Sequence, residues 1–184
     1  IGGRYSVLSE VGMLPAYLMG LNIKKFRKNI LHILKKKKNI LMKILPIMLK
    51  IYSSKKYNAI VFLNYSPRLN NFLFWLQQLI AESLGKKGKG LLPIISTSPK
   101  DHHSLLQLYL DGPKDKVFYF LSEKALKNNK TKNNFFEDNF RKIKNKDLNQ
   151  IVEAQKNAVI KVFKKKKIPF REFELRNFNE ETLG

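Results

Sequence analysis

The sequence predicts an α/β fold in which a parallel β-sheet lies between two layers of helices, a three-layer αβα sandwich. Short apolar runs typical of strands alternate with longer segments in which apolar residues recur every three or four positions, as in amphipathic helices. Such alternation indicates βαβ units, whose strands are parallel and whose crossovers are right-handed. The 184 residues suffice for one domain of ordinary size, and the 43% hydrophobic content suffices for a buried core.

The first 56 residues are predicted to be helical and to lead from a preceding domain. The chain starts with IGGRYS rather than Met, so we expect that it begins inside a longer protein. Gly2 and Gly3 favour a turn, and Ser6 or Ser9 can cap the helix that follows. A Pro at position 46 is expected to kink or interrupt the third helix. The predicted helices cover residues 7–21, 22–38 and 39–54.

Residues 57–184 are predicted to form the α/β domain. The strands are expected over 57–65, 90–96, 115–121 and 168–175, where β-branched, aromatic and other apolar residues cluster. The helices are expected over 68–84, 101–110 and 147–166. The Asn- and Lys-rich segment 123–146 is expected to be mostly loop with some helix, and residues 180–184 the start of a helix that is cut off.

The chain has a formal net charge of +22. Such a charge fits a nucleic-acid or anionic-membrane partner, but also Lys-rich solvated faces. We favour solvated faces, because most of the cations are Lys, whereas Arg is the residue of bidentate phosphate and base recognition. We therefore expect neither a specific nucleic acid nor a membrane as a partner. The sequence has no Cys, which excludes disulfides and thiolate chemistry.

Glu82 is the most isolated acid in the chain. No Asp or Glu occurs between Val11 and Ala81, or between Ser83 and Lys100. It falls in the last turn of a predicted helix, where the helix dipole disfavours a carboxylate, so helix stability does not explain it. Two interpretations remain: a weak surface pair with the nearby lysines, or a general base that removes a proton from a carbon next to a carbonyl.

A histidine pair follows the second predicted strand. Asp101, as N-cap, would place His102 and His103 in the first turn of a helix, where the dipole favours neutral imidazole. Neighbouring helical residues point about 100° apart, so only one of the two can face a small site. Simple capping and packing is the alternative. With His32, these are the only imidazoles, and their spacing fits no metal site.

Arg4 stands beside two glycines at the start of a predicted helix. A guanidinium with nearby backbone amides makes an anion site, although an ordinary surface Arg is the alternative. The small hydroxyls of residues 96–98 could bind an oxyanion, but we interpret them as shaping a turn. No Walker phosphate loop and no GxGxxG motif occurs in the sequence.

Two stretches resemble the bacterial type of the glucose-6-phosphate isomerase family. GGRYSVLSEVGMLP, at 2–15, is similar to a Gly-Gly-Arg-[Tyr/Phe]-Ser run that opens a helix in that family. WLQQLIAESLGKKGKGLLPIISTSPKDHHSLLQLYLDGP, at 75–113, carries the family's Gln-x-x-x-Glu-Ser-x-Gly-Lys core and its later His-x-x-x-Gln-Leu segment. The likeness extends over most of residues 1–121, and both motifs are specific.

The resemblance implies reversible conversion of glucose 6-phosphate to fructose 6-phosphate through an enediolate, in glycolysis and gluconeogenesis, with no cofactor or metal. It implies that Glu82 moves the proton between C2 and C1, that Arg4 stabilises the enediolate, and that His103 assists ring opening. Gln78 and Gly3 would contact the substrate. It further implies a flavodoxin-like sugar-isomerase (SIS) domain, a cytoplasmic location, and a homodimer in which the His comes from the partner subunit.

Two parts of the family pattern are missing from these residues. The family's Ser/Thr-rich phosphate loop lies before GGR, and its ring-opening Lys lies in a C-terminal helix, which would follow Gly184. We therefore expect a fragment that is inactive alone. A non-catalytic, sugar-phosphate-binding SIS regulatory domain is the main alternative function, and a basic RNA-binding protein is another.

Overall fold

The computed structural model describes residues 3–124 and 147–184. The helices are α1 Glu10–Leu18, α2 Ile23–Arg27, α3 Ile30–Lys36, α4 Lys38–Ser53, α5 Asn70–Leu84, α6 Asp101–Ser104, α7 Leu106–Asp111, α8 Leu148–Lys165 and α9 Glu180–Leu183. The strands are β1 Ala59–Asn64, β2 Leu92–Thr97, β3 Lys116–Glu123 and β4 Phe170–Leu175, and short 3₁₀ turns cover Gly3–Tyr5 and Pro67–Leu69. In the described part of the chain, no helix is both long enough and apolar enough to span a membrane.

The four strands form one parallel sheet in the order β2-β1-β3-β4. Val61 of β1 pairs with Ile94 on one side and with Phe118 on the other. The second strand, β2, is therefore added on one side of β1, and β3 and β4 are added on the other side. This flavodoxin-like order reverses between β1 and β3. The predicted parallel sheet and its four strands are confirmed.

Side chains of the inner strands alternate between two apolar layers, as the period of a strand requires. Val61 and Leu63 face one layer, whose core includes Phe163 of α8 and Tyr109 of α7. The opposite layer is covered chiefly by α5 and the 3₁₀ turn before it, with added contacts from α4 and α9, and its members include Ile60, Phe62, Leu69, Leu73, Ile51 and Leu183. Helices therefore lie on both faces of the sheet, which confirms the three-layer αβα sandwich.

The prediction of one helix over 22–38 is wrong, because α2 and α3 are separate helices. Asn29 lies between them and donates a hydrogen bond from Nδ2 to Glu181 Oε1 at 3.2 Å, and Lys28 pairs with the same carboxylate. This contact with α9 spans 152 residues, so local periodicity could not reveal it. The expected interruption near Pro46 is also absent: α4 continues through Pro46, which removes one backbone donor without ending the helix.

The predicted helix over 101–110 is broken at Leu105 into α6 and α7. Asp101 is the first residue of α6 and not its N-cap. Its Oδ2 instead accepts hydrogen bonds from the Thr97 backbone N–H at 2.7 Å and from Ser96 Oγ at 3.0 Å. The carboxylate therefore closes the turn after β2, as the turn interpretation of residues 96–98 predicts. The predicted loop over 123–146 begins with the last residue of β3, and residues 125–146 lie outside the described part of the chain.

Candidate active site

Arg4 and Glu82 are in direct contact although 78 residues separate them. Arg4 Nη1 donates to Glu82 Oε2 at 3.1 Å, and Arg4 Nε donates to Ser83 Oγ at 3.0 Å. The guanidinium thus contacts two consecutive residues in the last turn of α5. The Arg4 and Glu82 side chains are 29% and 47% exposed, so a ligand can reach both from solvent.

The turn that carries Arg4 depends on Gly3. Gly3 has φ of +72°, a backbone conformation that glycine adopts without the steric cost that a Cβ brings. The Ser6 hydroxyl and the Ser6 backbone N–H both donate to the Gly3 carbonyl, at 2.6 and 3.2 Å. These bonds close the 3₁₀ turn and place Arg4 against α5. These contacts show that Gly3 shapes the turn. Its predicted contact with the substrate stays a prediction.

The second oxygen of Glu82 is also occupied. Gln78, one helical turn earlier, donates from Nε2 to Glu82 Oε1 at 2.9 Å. The hydrogen bond from Gln78, and then that from Arg4 with its positive charge, lowers the pKa of Glu82 below its ordinary value. Glu82 is therefore an ionised carboxylate near neutral pH, and its partners are Arg4 and Gln78 rather than the lysines that follow the helix.

An apolar groove of about 450 Å³ borders this pair. One wall comes from α5 and the other from the segment between the 3₁₀ turn and α1; the lining includes Trp75, Leu79, Ile80, Val7 and Leu8. The charged pair thus lies at the rim of an apolar surface on an open part of the molecule.

His102 and His103 have different surroundings. His102 Nε2 lies 2.7 Å from the Tyr65 hydroxyl, its ring packs edge-on against the Tyr65 ring, and burial lowers the His102 pKa. The His103 side chain is exposed and makes no hydrogen bond or ion pair with the described residues. The expectation that the two would face different surroundings is confirmed. His103, the predicted functional one, is the one open to a partner.

Glu82 and His103 lie at opposite edges of the sheet. Asn64, the last residue of β1, donates to Asn70 at the start of α5 at 2.8 Å, so α5 begins at the carboxyl edge. Gln77 donates to the Pro93 carbonyl near the start of β2 at 2.8 Å, so the second half of α5 has reached the amino edge. Within one chain, the structure does not bring the predicted base and the predicted His together.

Ser83 and Tyr5 also contact Arg4, although neither was predicted as a site residue. Ser83 accepts from Arg4, and the Arg4 guanidinium carbon lies 5.4 Å from the centre of the Tyr5 ring. The Ser83 hydroxyl, and then Arg4, lowers the pKa of the Tyr5 phenol. Both residues belong to the motifs quoted above, Ser83 to the Glu-Ser core and Tyr5 to the Gly-Gly-Arg-[Tyr/Phe]-Ser run, so the motifs were their signal in the sequence.

A second polar cluster lies at the carboxyl edge, between β1 and β3, in a cleft of about 310 Å³. Lys156 is almost fully buried there and contacts Ser122 Oγ at 3.0 Å and Glu172 at 2.9 Å. Arg68 is likewise paired with Glu123. We place the candidate site at Arg4 and Glu82 because these two residues come from the two motifs quoted above and both side chains are accessible to solvent, whereas the Lys156 side chain is only 4% exposed. Among the described residues, no group of three His, Cys, Asp or Glu side chains could hold a metal ion.

Relatives named glucose-6-phosphate isomerase match the whole chain. The chain is 33% identical to the enzyme of that name from Methanocaldococcus jannaschii, and 32% identical to the one from Mycoplasmopsis synoviae strain 53, with 100% of this chain covered in each case. The chain belongs to the glucose-6-phosphate isomerase family. It spans about half the length of these curated relatives, 47% and 45% respectively.

A solved structure agrees on the fold. The crystal structure of a hypothetical protein from Thermus thermophilus matches the isomerase-family chain with a TM-score of 0.82 and 25% sequence identity. The match covers all of this chain and 46% of the other. A scan against models of protein families found no match.

Proposed function

We propose that this chain supplies the proton-transfer centre of a glucose-6-phosphate isomerase, which interconverts glucose 6-phosphate and fructose 6-phosphate through an enediolate. The contact between Arg4 and Glu82 carries the proposal. It pairs an ionised carboxylate, which can remove a proton from carbon, with a fixed cation, which can stabilise the negative charge that then develops on oxygen.

Each residue has one step in this reaction. Glu82 removes the proton at C2 of the open-chain aldose and returns it at C1, while the hydroxyl proton on O2 passes to O1, so that the carbonyl moves from C1 to C2. Arg4 leaves the carboxylate and meets the oxygens of the enediolate. Gln78 keeps a hydrogen bond to the other carboxylate oxygen, which fixes the rotation of the base. A fixed cation aimed at developing charge is worth about 3–4 kcal/mol of barrier.

His103 would act from a second copy of the chain. Its exposed position at the carboxyl edge, opposite the edge of Glu82, supports a homodimer in which each site takes the base from one subunit and His103 from the other. We therefore expect the 184 residues by themselves to give no turnover, since the family resemblance also puts the phosphate loop and the ring-opening Lys outside them. The division into a helical segment, 1–56, and an SIS domain, 57–184, and the cytoplasmic location are part of the same proposal.

The test uses a chimera in which this chain replaces the matching segment of the Methanocaldococcus jannaschii relative. Glu82→Gln is expected to lower the rate of fructose 6-phosphate formation about 10²–10⁴-fold, the typical contribution of a general base, with substrate still bound. Glu10→Gln, the same chemical change on an exposed acid in the first turn of α1, is the matched control. Equal turnover of the two variants would refute the role of Glu82, and binding without turnover in the parent chimera would favour the regulatory domain.

A further inference from the structure

Ser83 contacts Arg4, the cation of the proposed site. It is half-buried in the last turn of α5, and its Oγ accepts the hydrogen bond from Arg4 Nε at 3.0 Å. Serine is a poor residue inside a helix, because its hydroxyl competes for backbone groups. Helix stability therefore does not account for a serine here, whereas the contact with Arg4 does.

Two contacts at different nitrogens fix the guanidinium more fully than one contact would. A guanidinium is planar and carries five N–H donors. With Nη1 on Glu82 alone, the plane could still rotate about that bond. The second bond, from Nε to Ser83, fixes the rotation, and the Tyr5 side chain interacts with the same guanidinium.

We propose that Ser83 is a positioning residue that holds Arg4 at Nε, so that Nη1 can leave Glu82 for an anionic intermediate while the guanidinium stays in place. The identity of that anion rests on the proposed isomerase function. The orientation of Arg4 by Ser83 is a property of this chain by itself and can be measured without turnover.

Few charged or titratable groups face Glu82. Arg4 contacts it from the 3₁₀ turn, and Gln78 contacts it from α5. Tyr5 lies beside Arg4, and the positive charge of Lys86, just after α5, acts on the Tyr5 phenol. Among these groups, Arg4 is the cation that pairs with Glu82. Loss of the Ser83 hydroxyl should therefore loosen this pair and raise the pKa of Glu82 toward its ordinary value.

The experiment is nuclear magnetic resonance on the 184-residue chain. The side-chain carboxyl carbon of Glu82 is titrated with pH, and the exchange of the Arg4 Nε–H with water is measured. Ser83→Ala is expected to shift the Glu82 titration to higher pH and to speed the exchange, and Ser83→Thr, which keeps the hydroxyl, is expected to restore both. Ser53→Ala, an exposed serine in the last turn of α4, is the matched control and should change neither.

The proposal is wrong if Ser83→Ala leaves both signals unchanged while Arg4→Gln moves the Glu82 titration. If Ser83→Ala does not fold, Ser83→Cys is measured in its place, since a thiol has similar size but accepts hydrogen bonds weakly. The two hypotheses fail separately. Unchanged signals in Ser83→Ala would contradict the role of Ser83 but not the isomerase function. An active Glu82→Gln chimera would contradict the isomerase function but not the orientation of Arg4 by Ser83.

Discussion

Mixing two inactive variants should restore activity if each site is shared between subunits. Residues 70–82 span about 18 Å along α5, at 1.5 Å per residue. Since α5 starts beside the end of β1, where His102 contacts Tyr65, His103 of the same chain lies about that far from Glu82. Groups that act on one substrate must approach their reacting atoms to about 3 Å. This estimate supports the proposed site that is shared between two subunits.

The expected recovery follows from counting sites. Glu82→Gln and His103→Gln chimeras are mixed in equal amounts and allowed to exchange subunits. Each mixed dimer then has one site with both substitutions and one with neither. Random exchange makes about half of the dimers mixed, so about a quarter of the parent activity should return in a two-fold symmetric dimer.

The assay is the rate of fructose 6-phosphate formation before and after subunit exchange, with exchange itself followed by mass spectrometry of differently tagged subunits. The control mixes Glu82→Gln with Arg4→Gln. Arg4 and Glu82 lie on the same chain within 3.1 Å, so every site of a mixed dimer keeps one defect and no activity should return. Mixed dimers of the first pair that stay inactive would refute the shared site.

Three further results are expected. Arg4→Gln should raise the Glu82 pKa, seen by carbon-detected titration. Since pairing with Arg4 lowers the Glu82 pKa, the stability that the pair adds is present above the ordinary Glu pKa and is lost as pH falls through the pKa of the folded state. Urea unfolding of the parent and of Arg4→Gln, above the ordinary Glu pKa and below the folded-state pKa, checks this. Phe163→Ala, at a fully buried ring that packs on Phe118, should cost about 3–5 kcal/mol in urea unfolding, whereas the exposed Phe74→Ala should cost under about 0.5 kcal/mol. In the chimera, the acid limb of kcat/KM, which reports the free enzyme, should lie at lower pH than that of kcat.

Strands β1, β2 and β3 could be predicted from the sequence because each contains a short apolar run bounded by polar, Gly or Pro residues. β1, for example, is buried at every position from Ala59 to Asn64, and in a chain rich in Lys a run without any charge is typical of a strand inside the core. Strand β4, FREFEL, mixes charged residues with apolar ones. The break between α2 and α3 could not be predicted, because it depends on the contact of Asn29 with Glu181 of α9.

The residues of the candidate site were available from motifs, but their arrangement was not. The Gly-Gly-Arg and Glu-Ser motifs name Arg4 and Glu82 separately. Their contact depends on the 3₁₀ turn at Gly3 and on how far α5 extends past the sheet. Neither feature can be predicted from the local sequence. The same holds for His103, whose place at the other edge follows from the direction of α5 between β1 and β2.

The resting pair of Arg4 and Glu82 also bears on how a weak base could do this chemistry. A general base works best when its pKa is near the working pH, yet Arg4 and Gln78 keep the pKa of Glu82 below its ordinary value in the free chain. An enediolate oxygen competes with Glu82 for the same guanidinium. In the proposed reaction, Arg4 would turn to the oxygen on which negative charge develops, so the carboxylate would lose its positive partner and its pKa would rise while the proton is being transferred. The cation would thus lower one barrier in two ways, and Ser83 at Nε would let it change partners without leaving the site.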